Sequence, residues 1–251
     1  MRKRNLYQPG SKSPFPLSRT KLYAFLECPR CFYVDRRLGV QPPSGPPFNI
    51  NSAVDHLLKK EFDDYRARGR PHPLMKAAGI EAVPFAHEQL DEWRENFKGL
   101  RFHHKSSGFV LTGAIDDLWQ DRVSGELIVV DYKATAKDGE VSLDADWQIA
   151  YKRQMEFYQW LLRQNGFAVS DTGWFVYCNG DRSRERFNGS LSFSIRLIPY
   201  TGSTDWVEPA LAGARKCLRG EAPPPPGRNC EQCDYVRDLA AIGLLADDES
   251  G

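Results

Sequence analysis

Apolar residues recur at helical spacing in the first third of the chain and at strand spacing in its middle. The stripe Val54, Leu57, Leu58, Phe62 and Tyr65 predicts a helix that starts at Asn51 or Ser52, runs to about Arg68 and stops at Gly69. Ser18 is suited to cap a shorter helix over about 19–27, and a further helix is expected over about 87–97. Runs rich in Val, Ile, Leu and aromatics then fill about 108–121 and 126–134 and predict a hairpin. Its turn is the polar segment Asp121-Arg-Val-Ser-Gly-Glu126. A long helix over about 146–165 ends at Gly166, followed by strands over about 173–178 and 191–198 and a helix over about 205–219. This order predicts an α/β fold, a mixed central β-sheet flanked by helices.

The 251 residues accommodate one large domain or two small ones. Gly, Ser, Pro and Lys over residues 1–17 read as a flexible basic arm, residues 18–240 as a single domain, and 241–251 as an acidic tail. Gln41-Pro-Pro-Ser-Gly-Pro-Pro47 reads as a loop. No apolar run reaches the roughly 18 residues of a membrane span. No signal-peptide pattern is visible, so a cytoplasmic location is expected. The net charge is only +1, but residues 1–40 hold nine Lys/Arg against Glu27 and Asp35. Such a segment can hold phosphate backbones, and a solvated arm is the plain alternative.

Two segments stand apart chemically. Gly113-Ala-Ile-Asp-Asp-Leu-Trp119 and Val129-Val-Asp-Tyr-Lys-Ala-Thr135 each set an acid in a strand-like apolar run. If the turn is Arg122 to Gly125, Asp121 faces Glu126 and Asp116 falls opposite Asp131. Opposed side chains on one sheet face have Cβ atoms roughly 4.5–5.5 Å apart. Alternation puts Lys133 on the face of Asp131, and Tyr132 on the other. Asp117 then faces away from Asp131 and is a secondary candidate. Two carboxylates that close repel unless a cation sits between them, and hard cations such as Mg²⁺ or Mn²⁺ suit oxygen ligands. A surface hairpin with ordinary charge pairs is the alternative.

Of the six cysteines, Cys28/Cys31 and Cys230/Cys233 form two Cys-x-x-Cys pairs near opposite ends of the chain. If the ends meet, the pairs make a four-thiolate clasp suited to Zn²⁺ or an iron–sulfur cluster. Cys178 and Cys217 read as packed hydrophobes. On the long helix, Tyr151, Gln154 and Tyr158 share one face, which Trp147 and Leu161 or Leu162 extend. Gln154 is the polar member of that stripe and is expected to reach a partner. His56 lies at the edge of the earlier helical stripe.

In this order, His56, Gly113-x-Ile-Asp116, Asp131-Tyr-Lys133 and Gln154-x-x-x-Tyr158 resemble the PD-(D/E)XK nucleases. The likeness is greatest to the RecB-type branch that includes Cas4 and the AddB nuclease domain. Leu17-Ser-x-x-x-Leu22, Cys28-Pro-Arg and the closing Cys230-x-x-Cys233-Asp-Tyr are similar to that branch as well. The resemblance covers about residues 17–238 and implies a restriction-endonuclease-like core. It implies that Asp116 and Asp131 bind Mg²⁺ or Mn²⁺ together with His56 and the backbone carbonyl of Tyr132. Lys133 would orient the attacking water and stabilise charge on the phosphate. Gln154, Tyr158 and Tyr151 would hold the substrate or brace Lys133. It also implies a [4Fe–4S] cluster on Cys28, Cys31, Cys230 and Cys233, with Zn²⁺ as the alternative. Iron–sulfur members usually carry one N-terminal cysteine and three C-terminal ones. Here Leu239 stands near the place of the last cysteine, and Cys31 restores the count. Asn51-Ser52 replaces a glycine common before the histidine helix.

The expected activity is metal-dependent hydrolysis of DNA, on single strands or ends, in repair, recombination or a CRISPR-type defence pathway. Protein partners in a repair or CRISPR complex are expected, and a membrane is not. The rival expectation is a catalytically silent or partner-dependent nucleic-acid-binding subunit.

Overall fold

The computed structural model describes residues 5–43, 45 and 49–244. Residues 1–4 of the basic arm, 44 and 46–48 of the proline-rich loop, and 245–251 of the acidic tail lie outside them. The chain forms two compact units. The first draws on Met1–Gly45, His103–Val110 and Trp206–Gly251, and the second on Pro46–Phe102 and Leu111–Asp205. No helix among the described residues is long and apolar enough to cross a membrane.

The first unit begins with β1 (Phe15–Ser18), α1 (Arg19–Glu27) and α2 (Pro29–Tyr33), followed by a π-helical turn over Val34–Leu38. Ser18 caps α1 by accepting from the N–H of Lys21, as its position in the sequence predicts. Cys28 is the N-cap of α2. The C-terminal elements of this unit are α7 (Val207–Arg219) and α8 (Glu231–Ala241). Phe25 lies against Gly213 of α7, and the Tyr33 hydroxyl donates to the carbonyl of Gly220 at 3.1 Å. Chain segments about two hundred residues apart are thereby packed together.

The second unit contains α3 (Asn49–Ala67), α4 (Pro73–Ala77), β2 (Ala82–Pro84) and α5 (Leu90–Arg94). β3 (Leu100–His104) and β4 (Phe109–Gly113) follow, and the chain passes between the units at this hairpin. Then come β5 (Asp117–Asp121), β6 (Leu127–Thr135), α6 (Ile149–Gln164), β7 (Thr172–Gly180) and β8 (Phe193–Thr201). Five strands form a mixed sheet in the order β2-β5-β6-β7-β8. Only β6 and β7 run parallel, and α6 supplies the crossover that a parallel pair requires.

The hairpin register is the predicted one. Leu118 pairs with Val129 and Gln120 with Leu127, and the Asp121 N–H donates to the Glu126 carbonyl at 2.9 Å. Asp121 closes the turn by accepting from the N–H groups of Val123 and Ser124. Alternation then divides the sheet's faces. Trp119, Ile128, Val130, Tyr132, Val176 and Cys178 pack against Leu58 and Phe62 of α3, with Met75 of α4 beside them. The other face lies under α6, where Met155 meets Gly173.

Five expectations need correction. The run over 108–121 is two strands, β4 and β5, in different sheets, because the chain bends at Ala114–Asp116. The helix over 87–97 is a short one, α5, and β3 was not foreseen. Leu57 is 62% exposed and stands outside the α3 stripe, and that helix begins at Asn49 rather than Asn51 or Ser52. Trp147 is 60% exposed in a 3₁₀ turn before α6 and does not extend its buried stripe.

Candidate active site and four-cysteine centre

Asp116 leaves the strand just before β5, and its carboxylate accepts the backbone N–H of Tyr132 at 3.0 Å. That bond stands where a ladder hydrogen bond would otherwise continue, so the side chain both ends the pairing and is held beside β6. Asp131 is fully buried on β6. Its Oδ1 accepts from Nε2 of Gln154 at 2.6 Å, and its Oδ2 forms an ion pair with the Lys133 ammonium. Lys133 Nζ stands 4.4 Å from the centre of the Tyr151 ring, a cation–π contact. Nε2 of Gln154 also reaches the Tyr158 hydroxyl at 3.4 Å. The structure thus brings together Asp116, Asp131, Lys133, Tyr151, Gln154 and Tyr158. Gly113 has a steric role beside them, since a Cβ there would meet the Tyr158 ring at 2.7 Å.

Burial raises the Asp131 carboxyl to about 7; Lys133 opposes the rise and Asp116 adds to it. Burial acts against the Lys133 ammonium, but Asp131 and Asp116 outweigh it and hold its pKa above the usual lysine range. Lysine is therefore the firmly charged partner, and the proton on Asp131 is the marginal one. Two carboxylates pressed together with one of them desolvated are a donor set that a hard divalent cation fits. The N–H and C=O of one strand residue point to the same side. The Tyr132 carbonyl accordingly faces the edge of β6 at which its N–H meets Asp116.

His56 is exposed on α3. Among the described residues, one group of three or more His, Cys, Asp or Glu side chains has all its ligand atoms within 4.8 Å, and it is the four cysteines. The α3 residues beside the acids are ones the sequence reading missed. Lys59 pairs with Asp55 at 2.8 Å and lies 3.7 Å from Asp116. The Asp55 carboxyl is raised by burial and by the charge of Asp116. The i,i+4 spacing of Asp55 and Lys59 was the available signal.

Asp117 points the other way, as alternation requires. It is fully buried and accepts from the Tyr132 hydroxyl at 2.7 Å and from Arg94 at 2.7 Å, with Arg66 paired to the same carboxylate. Arg94 and Arg66 also pair with Asp63. This network ties α3, α5, β5 and β6 together directly beneath Asp116.

In the first unit, Cys28, Cys31, Cys230 and Cys233 converge. Sγ–Sγ distances are 3.7 Å for Cys28–Cys233, 3.6 Å for Cys31–Cys230 and 3.5 Å for Cys31–Cys233. The N–H groups of Gly227 and Cys31 point at Cys28 Sγ from 3.2 and 3.4 Å. Burial would raise the Cys28 thiol, but these donors outweigh it and bring it down to about 7. Burial pushes Cys233 up to about 11; Cys31 opposes the rise, and Cys230 and Cys28 add to it. Gly227 must be glycine for this approach, because a Cβ would lie 2.1 Å from the carbonyl oxygen of Glu27. The cluster joins the N- and C-terminal regions, as the paired spacing predicts. Cys178 is buried in the core of the second unit, and Cys217 bonds the Pro29 carbonyl at 3.6 Å.

Among curated proteins, no relative matches the sequence. A family model, described as the PD-(D/E)XK nuclease superfamily, matches residues 16–237. That span contains both the carboxylate–lysine group and the four cysteines, and the chain belongs to the PD-(D/E)XK nuclease superfamily.

Proposed function

We propose that the chain is a Mg²⁺- or Mn²⁺-dependent deoxyribonuclease that hydrolyses phosphodiester bonds in single-stranded DNA or at DNA ends. The observation that carries the reading is the convergence of Asp116, Asp131 and Lys133 at the edge of β6, in a chain of this superfamily. Asp116, Asp131 and the Tyr132 carbonyl are the ligands for the cation. His56 follows as a further ligand from the family resemblance, and Asp55 is its rival from the same turn of α3. When bound, the ion supplies an activated water and neutralises charge on the phosphate.

The protein groups have separable tasks. Lys133 carries a fixed positive charge with three donors, suited to orienting the attacking water and to the charge that grows on the phosphate oxygens. Gln154 spends one amide hydrogen bond on Asp131 and so fixes the direction of that carboxylate. Tyr151 braces Lys133 and Tyr158 braces Gln154. Repair, recombination or a CRISPR-type defence pathway is the expected setting, with partner proteins of such a complex.

The test is cleavage of end-labelled DNA in Mg²⁺ and Mn²⁺. Asp131→Ala and Lys133→Ala are expected to abolish cleavage and to leave DNA binding largely intact. Parallel His56→Ala and Asp55→Ala variants assign the third side-chain ligand. A wild-type protein that binds DNA and cuts with neither metal would overturn this reading in favour of a binding subunit.

A further inference from the structure

We infer that the four-cysteine centre holds a single tetrahedral metal ion, Zn²⁺, rather than the [4Fe–4S] cluster that the family resemblance implies. The inference is independent of the nuclease reading and rests on sulfur spacing. A tetrahedral Zn²⁺ with Zn–S bonds of about 2.3 Å sets its sulfurs roughly 3.8 Å apart. The Sγ–Sγ distances here are 3.5, 3.6 and 3.7 Å, and all four ligand atoms lie within 4.8 Å of one another. A cubane places each cysteine outside its own iron, so the four sulfurs stand on a larger tetrahedron with edges on the order of 6 Å. Four irons and four sulfides have no room inside the observed set.

The chain's local chemistry agrees. Two Cys-x-x-Cys pairs, each at the start of a helix, are the donor arrangement of closed structural zinc sites. The N–H groups of Gly227 and Cys31 satisfy Cys28 Sγ from outside the sulfur set, which stabilises a thiolate and fixes its direction. Cys217 faces the Pro29 carbonyl and is not one of the four. The centre is thereby a structural clasp without redox chemistry, closed over the two ends of the chain.

The experiment is metal and acid-labile sulfide analysis of the full chain, expressed with added iron and purified anaerobically, then challenged with iron and sulfide under reconstituting conditions. The expected result is one zinc per chain, no labile sulfide, and no broad absorption near roughly 400 nm. X-ray absorption at the zinc edge should show a sulfur-only shell at about 2.3 Å. Cys31→Ser should lose the metal, and Cys217→Ser should keep it. Iron and sulfide in equal amounts, with the broad absorption, would overturn the inference, as would a folded protein that holds no metal.

Discussion

The Gln154 amide donates to the Asp131 carboxylate at 2.6 Å across the gap between α6 and β6. It is the only uncharged side chain bonded to that acid among the described residues, so it directs the carboxylate without neutralising it. Gln154→Ala is expected to weaken Mn²⁺ binding by about 10–100-fold, as loss of such a supporting bond does. Gln154→Glu also loses the donated bond, but the carboxylate it adds attracts the cation, so its affinity should fall less than that of Gln154→Ala. Calorimetric Mn²⁺ titration checks both.

The raised Asp131 carboxyl makes stability depend on pH when no cation is bound. An acid whose folded pKa lies above its unfolded value, about 3.9, stabilises the fold at low pH. That contribution is lost as pH rises toward about 7. Asp131→Asn removes the titration. The stability difference between variant and wild type in EDTA should therefore shift in favour of Asn between pH 5 and 6.5. The limiting slope is about 1.4 kcal/mol per pH unit. Urea denaturation across that range measures it, and a constant difference would refute the assignment.

Asp117 holds Arg66, Arg94 and the Tyr132 hydroxyl from a fully buried position. Asp117→Asn leaves two buried guanidinium groups with Asp63 as their remaining acid. A loss of about 3–5 kcal/mol is expected, the cost of breaking a buried ion pair from one side. The proposed catalytic groups stay chemically intact, so any activity per folded molecule at low temperature should fall far less than the melting temperature implies.

Gly113→Ala forces a methyl group into the Tyr158 ring. Overpacking of this kind costs about 1–3 kcal/mol. Because Tyr158 adjoins Gln154, the variant is also expected to lower cleavage, and Gly113→Ala combined with Tyr158→Leu should recover stability without recovering activity.

Gly227→Ala removes the close approach that brings an N–H to Cys28 Sγ. The variant should release its metal to a chelator faster than wild type, with a melting temperature that drops to the metal-free value. A zinc-sensitive dye follows the release.

The register of β5 on β6 was legible because it depends on one short turn, and Asp121 with Gly125 marks that turn locally. The opposite faces of Asp131 and Tyr132 follow from alternation alone. The split between β4 and β5 was not legible. Residues 108–121 read as one apolar run, and the break comes where Asp116 takes the N–H of Tyr132, a partner on another strand. Leu57 misled for a related reason: helical periodicity shows a stripe but not which edge of it the sheet covers.

The sequence by itself determined most of the element types, the hairpin register, the pairing of cysteines at the two chain ends, and the order of acids, lysine and glutamine that resembles the superfamily. These are set by local turn chemistry, side-chain period and residue spacing. Only the tertiary structure decided that Asp55 and Lys59 stand beside Asp116, and that Asp117 anchors two arginines. It alone supplied the distances between the four sulfurs. Burial, charge pairing and ligand spacing depend on side chains brought together from distant segments, and no local pattern encodes those separations.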